Sequence, residues 1–223
     1  MPESLEAMVR RLNDIQEITN LLGKYAFLTT ANMFTETVEL FAKTVPQKIE
    51  IGPIGVWDGM DAAYRCFHGF HNWTSKIGVP VEGQMMQHTL ATPVIEVAKD
   101  GQTAKGVWMS PGHEARVQGG KLTSWWGWGT YGEDFIKEAD GWKIRNHHVY
   151  LDIITPFEVP WTAEPAGDPG DIGDIFPPGL PDEWKPNRAS TYGWMYSPSA
   201  VMELVPAPPE PHGTYDPSTD YIK

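Results

Sequence analysis

The chain has a single cysteine, Cys66, so it can form no internal disulfide and no cysteine-based zinc site. No apolar run approaches the roughly 20 residues of a membrane-spanning helix, and the N-terminal MPESLEAMVRRLNDIQE lacks the apolar core of a secretory signal. Positive charge is scarce: 17 Lys and Arg stand against 29 Asp and Glu, a net charge of -12 that disfavours phosphate backbones and anionic membrane surfaces as partners. Glycine-rich dinucleotide fingerprints, Walker loops and nucleophile elbows are missing, which leaves nucleotide cofactors and acyl-enzyme chemistry without support. These absences describe a soluble, cytoplasmic protein with no nucleic-acid or membrane partner and no cofactor.

Aromatic rings, in contrast, are abundant. Ten Trp, eight Tyr and eight Phe in 223 residues exceed what a small sheet and its helices need for packing, and point to an aromatic-lined cavity or a subunit interface. Met8, Leu12, Ile15, Ile18, Leu22 and Tyr25 recur at three- and four-residue steps and predict a helix over 3–28. A second short helix carries Phe34, Val38 and Phe41. The segment 47–57 reads as a strand interrupted at Gly52-Pro53, and a third helix covers 60–73. Beyond it the period changes to two. Segments 84–99, 103–117, 121–138 and 141–154 are rich in β-formers and are separated by Asp100-Gly101, Gly119-Gly120 and Asp140-Gly141, predicting a four-strand antiparallel meander.

Helices followed by a meander define an α+β domain over 1–154, with a curved sheet around the helices. Past Thr155 the composition shifts: most of the twenty prolines and most of the net negative charge lie there. Trp161, Trp184, Tyr192 and Trp194 are spaced through this stretch, so 155–223 is expected to be an extended arm packing on the core or on a neighbouring subunit rather than a disordered tail.

The strings GVWDGMDAAYRCF, QHTLATPVIEVAKDGQTAKGVWMS and GTYGEDFIKEADGWKI, in this order and spacing, resemble the SnoaL-like branch of the NTF2-like superfamily. The resemblance covers about residues 5–154 and implies a cone-shaped α+β barrel whose open end forms a deep pocket, commonly in dimers or trimers. Enzymes of this fold are mostly cofactor-independent. They include dehydratases similar to scytalone dehydratase, ketosteroid-isomerase-like proteins, polyketide cyclases, and lyases of lignin-derived diarylpropanes; other members only bind ligands or partners.

On that resemblance His88, at the start of a long strand, takes the place of an inward histidine able to exchange protons near neutral pH. Tyr25, at the end of the first helix, matches a tyrosine whose hydroxyl reaches the pocket; the alternative is a core ring. Relatives of the scytalone dehydratase type follow this tyrosine directly with an acid, whereas here no carboxylate appears until Glu36. His113 stands near the relatives' second histidine by spacing from His88. Pro111-Gly112 interrupts the parity before it, so a surface or rim position competes with contact to substrate.

Trp108 is a candidate pocket wall or a core ring. Trp126 and Trp128 alternate onto one face, with Tyr131 as a further member, and would either stack on a planar ligand or form an interface. In the last strand Trp142 and Ile144 share parity with Asn146, His148 and Tyr150. If the first two point inward, the other three enter the pocket and His147 faces out, unless a β-bulge intervenes and swaps them. His68 and His71 have metal-compatible spacing but no third ligand, so no metal is expected.

The resulting expectation is a homo-oligomeric, cofactor-independent lyase acting on a small phenolic substrate, with His88, Tyr25 and His148 as catalytic groups. Trp108, Trp126, Trp128, Tyr131, Asn146, Tyr150 and His113 would hold the substrate. A diarylpropane converted to a stilbene is the specific case. Alternatives are a dehydratase or isomerase of a cyclic ketone, or a ligand-binding protein without turnover.

Overall fold

The computed structural model describes residues 4–76, 81–118, 120–163, 176 and 179–223. Helix α1 (Leu5–Thr30) begins at Ser4, whose hydroxyl accepts from the Ala7 amide at 3.2 Å. It ends where Asn32 turns left-handed (φ 55°), a conformation asparagine tolerates. Ile18, Leu21, Leu22 and Tyr25 bury against the sheet, while Leu5, Val9 and Leu12 at the far end are exposed. Asp14, although on the buried face, accepts from Trp142 Nε1 at 2.9 Å and pairs with Lys137 at 2.6 Å.

Helix α2 (Phe34–Thr37) runs into a 3-10 turn at Val38–Leu40. The interrupted strand resolves into a hairpin of β1 (Gln47–Ile51) and β2 (Gly55–Gly59). The third helical region is wound as a π-helix over Tyr64–His71 before becoming α3 (Asn72–Lys76). The wider winding brings His71 Nδ1 to 3.0 Å from the carbonyl of Cys66, five residues back, and buries Cys66, Phe67 and Phe70.

The two long central segments each split. Residues 84–99 become β3 (Met85–His88) and β4 (Ala91–Val97), and 103–117 become β5 (Thr103–Ser110) and β6 (Gly112–Gln118), broken at Pro111. Strands β7 (Lys121–Glu138) and β8 (Gly141–Pro156) complete an eight-stranded sheet in the order β2-β1-β8-β7-β5-β4, with β6 on the other half of β7 and β3 outside β6. The predicted meander is therefore forked: β7 is long enough to pair with β5 along one half and with β6 along the other. Turns at Gly101 (φ 67°) and Gly141 (φ 116°) need the left-handed region that glycine supplies.

Two register shifts fall on β8. Phe135 pairs with Ile144 while Asp134 pairs with Asn146, leaving Arg145 as an extra residue; Trp128 pairs with Ile153 and Gly129 with Leu151, leaving Asp152 extra. Strand β7 keeps uninterrupted alternation. Its odd-numbered residues from Trp125 to Phe135 face the helices and its even-numbered residues face away. Leu180 and Trp184 pack on the helical side, where Trp184 meets the rings of Tyr64 and His68, whereas Ser190, Thr191, Tyr192 and Tyr221 lie on the outer face of the sheet against Glu50 and His148. Trp57 Nε1 donates to the Trp184 carbonyl at 2.9 Å, Arg188 pairs with Asp58 at 2.5 Å, and the Tyr196 amide donates to the Asp152 carbonyl at 2.9 Å. Among the described residues no helix is long and apolar enough to cross a membrane.

Candidate active site

A cavity of about 350 Å³ opens between α1, the π-helix and the concave sheet. Its apolar wall includes Ile51, Phe70, Met86, Val149, Leu151 and Ile154, into which Tyr25, His71, His88, Glu114, Arg116 and Tyr131 bring polar groups.

His88, on β3 opposite Gly112, points inward with about a fifth of its side chain exposed; its Nε2 is 3.4 Å from Glu114 Oε1. Burial pushes the Glu114 carboxyl up, but the hydrogen bond from His88 and the nearby Arg116 outweigh it and hold the acid below the usual carboxylate range. Arg116 Nη1 lies 3.5 Å from Glu114 Oε2, and its guanidinium stacks on Trp125 at 4.3 Å. Space for this pair comes from small neighbours: a Cβ on Gly127 would lie 2.9 Å from Glu114 Oε1. The carboxylate missing after Tyr25 on α1 thus has a counterpart on β6. Strand register puts it there: Glu114 is paired with Met86, two residues before His88 on the same face of β3, a pairing that the sequence does not display.

A second polar group lies deeper. Tyr25 Oη is 3.0 Å from His147 Nε2, and His147 Nδ1 is 2.7 Å from Glu133 Oε1, with both His147 and Glu133 fully buried. Burial lowers the His147 pKa to about 3 and raises that of Glu133 well above the carboxylate range, Asp134 adding to the latter, so each favours its neutral form. Tyr131 stacks obliquely on His147 at 5.3 Å, and burial raises its phenol as well. His71, at the cavity edge, is lowered to about 4 by burial despite its hydrogen bond to the Cys66 carbonyl.

Of the residues singled out from sequence, Tyr25, His88 and Tyr131 line the cavity. His148, Asn146 and Tyr150 do not, and the reason is the extra residue at Arg145. Trp142 and Ile144 point inward as expected, but the bulge reverses parity immediately after them, so His147 faces in and His148 faces out. His148 stacks on Tyr150 at 3.6 Å, donates from Nδ1 to the Tyr221 carbonyl at 2.9 Å, and approaches Glu50 at 3.6 Å, all beneath the C-terminal segment. Asn146 donates to Asp134 at 3.0 Å on the same outer face.

Trp108 is also displaced from the expected wall: it is a core ring against Phe135 at 6.0 Å. Trp126 and Trp128 occupy even positions of the regular strand β7 and project outward, where Trp126 meets Phe157, Trp161 and the exposed His113. His113 follows from the same parity, since it is paired with Trp126 while its neighbour Glu114 is paired with the inward Trp125. Among the described residues no cluster of three or more His, Cys, Asp or Glu is placed to hold a metal ion.

The SnoaL-like domain model matches residues 10–148, which include all of β7, the first half of β8 and the cavity-facing part of α1. The chain belongs to the SnoaL-like family. Solved structures agree on the NTF2-like fold of this SnoaL-like protein. It is similar to a Novosphingobium aromaticivorans protein provisionally named scytalone dehydratase (15% identity, TM-score 0.55, covering 69% of this chain and 93% of that one). It is also similar to a hexachlorocyclohexane dehydrochlorinase of type 3 from Novosphingobium barchaimii (14%, 0.55, 68% and 98%). A third match is an NTF2-like protein from Streptomyces avermitilis provisionally named a dehydratase (13%, 0.51, 67% and 99%). At these identities the likeness is one of fold. No curated protein matches the sequence.

Proposed function

We propose that this SnoaL-like protein is a cofactor-independent lyase that removes a leaving group from a small phenolic substrate held in the cavity. The observation that carries the reading is the inward His88–Glu114 pair, 3.4 Å apart in an otherwise largely apolar chamber. An ionised carboxylate beside an imidazole fixes its orientation and strengthens it as a base, and apolar walls keep competing water out. A cavity of about 350 Å³ is at the small end of ligand sites, suited to a molecule of one or two rings. The faces available to such rings are Phe70, Tyr25 and Tyr131 rather than the tryptophans. The names of the dehydratase-like and dehydrochlorinase structural neighbours are in keeping with elimination chemistry.

The specific substrate proposed is a lignin-derived diarylpropane-1,3-diol. Deprotonation of its para-phenol allows the benzylic hydroxyl, protonated as it departs, to leave as water and give a quinone methide. Removal of the hydroxymethyl O–H proton then breaks the adjacent C–C bond, releasing formaldehyde and returning the electron pair to the ring as a stilbene phenolate. Atoms and electrons balance without an oxidant or reductant. The test is incubation of the protein with the stereoisomers of a phenolic diarylpropane, following stilbene absorbance and formaldehyde. Turnover should appear with at least one isomer and should fall by about 100-fold or more in His88→Ala. Absence of both products from every isomer would overturn the substrate assignment, and full activity in His88→Ala would remove the central residue.

A further inference from the structure

Glu133 is a fully buried carboxyl group whose two oxygens have no hydrogen-bond partner among the described residues; its Oε1 lies 2.7 Å from His147 Nδ1, which likewise has none, a separation within hydrogen-bonding distance. Such a pair is an expensive way to fill a core. Leu or Met would occupy the same volume without desolvating an acid, and a buried ion pair seldom stabilises more than its apolar replacement. The pair does not stand alone, because the far nitrogen of His147 reaches the hydroxyl of Tyr25, and Tyr25 lines the cavity. Three groups on three elements, β7, β8 and α1, are therefore joined in one line from a sealed interior to the chamber.

We propose that Glu133, His147 and Tyr25 form a proton relay, with Tyr25 as a second acid–base group of the reaction and Glu133 and His147 as positioning residues behind it. This rests on the reading of the cavity as the site of an elimination. In the resting arrangement the Glu133 carboxylic acid donates to Nδ1, Nε2–H donates to the Tyr25 oxygen, and the Tyr25 O–H donates to the Tyr131 hydroxyl at the cavity wall, the acceptor that a substrate oxygen would replace. Burial favours that arrangement, since it keeps all three groups neutral.

When a departing substrate oxygen takes the tyrosyl proton, the Nε2 proton moves to the Tyr25 oxygen and the Glu133 proton moves to Nδ1. One O–H bond has formed on the leaving group, one has broken on Glu133, and the negative charge rests on Glu133 rather than on a tyrosinate in the cavity. Uptake of a proton from a substrate hydroxyl or from water runs the shift backward. His88 and Glu114 would then take a proton while the relay gives one, the two transfers that an elimination requires in each turnover. Tyr131, packed against both Tyr25 (6.2 Å) and His147 (5.3 Å), confines the two rings.

The relay can be tested without a substrate. In protein labelled with 15N-histidine, His147 should appear as the neutral Nε2–H tautomer, its Nε2 signal should shift in Tyr25→Phe, and its Nδ1 signal should shift in Glu133→Leu, circular dichroism confirming that each variant is folded. Signals that stay as in the wild type in both variants would show that the three groups are not coupled and would overturn the proposal. Where turnover is measurable, Glu133→Gln is the decisive variant, because its amide can still donate to Nδ1 but cannot release the proton. Its kcat should fall by about 100-fold with little change in KM. An unchanged kcat would overturn the relay even if the resonances are coupled. Lack of turnover in the wild-type protein would instead count against the substrate reading and leave the resonance experiment to decide the relay.

Discussion

His147 and His148 are chemically identical neighbours with opposite surroundings. One imidazole sits between a phenol and an acid, buried behind the chamber wall; the other is stacked on Tyr150 and pinned to the Tyr221 carbonyl on the outer face. Their difference is set by orientation alone, so substitutions should separate them cleanly: His148→Gln should leave turnover intact. At Gly127 the constraint is steric. Gly127→Ala places a methyl group against Glu114 Oε1, and the carboxylate must move from His88. Activity is expected to fall by about 10-fold or more while the melting temperature changes little, a split that paired assays of turnover and thermal unfolding would detect. Trp108 is the reverse case. As a core ring away from the cavity lining, its replacement by Ala should cost about 3–5 kcal/mol in urea unfolding.

Among the elements, β8 and the chain end that covers it carry most of what the sequence did not disclose. The inward direction of Trp142 and Ile144, the condition from which the rest of the strand is counted, holds: both are core residues. A single extra residue at Arg145 then inverted everything after it, and nothing in the string KIRNHHVY distinguishes a bulged arginine from a regular one. The bulge is a matter of pairing, with β7 across the hairpin and with β1, a partner distant in sequence. The terminal segment seals the outward face so produced: Tyr221 accepts from His148 and Tyr150, Asp220 pairs with Lys48 at 3.2 Å, and Ile222 is fully buried. Removal of residues 216–223 should therefore lower stability by about 3 kcal/mol or more, from the lost apolar burial and the two hydrogen bonds to the Tyr221 carbonyl. A denaturation midpoint equal to that of the full chain would show that this segment contributes nothing to stability.

For the molecule as a whole, buried titratable groups make stability depend on pH from both sides. His71, His147 and His148 have folded pKa values lowered to about 4, 3 and 4. Below about 6.5 the unfolded chain takes up protons that the folded chain refuses, so their contribution is complete above that pH and is lost as pH falls. His148→Gln should flatten this acid limb by up to about 1.4 kcal/mol per pH unit. Asp152 has the opposite sign. Burial raises its carboxyl to about 6, with the Thr130 hydroxyl offsetting only part, so the folded state holds a proton that the unfolded state has released and stability declines as pH rises from about 4 to 6. Asp152→Asn should melt at a higher temperature than the wild type at pH 8 and at the same temperature at pH 3.5. A difference of the same size at both would refute the assignment.

The sequence by itself determined the order of helices and strands, the family, the turns at glycine and, through the family resemblance, the cavity-lining Tyr25 and His88, because each is encoded by local periodicity, local turn chemistry or a short motif; Tyr131 also lines the cavity, but on the face opposite to Trp126 and Trp128, with which the sequence groups it. Tertiary structure alone decided which of two adjacent histidines faces the helices, that Trp126 and Trp128 face away from them, and that Glu114 meets His88 while Glu133 meets His147. Those outcomes depend on the strand facing each residue and on where one ladder gains a residue over its partner. A one-residue shift turns every following side chain to the other face of the sheet.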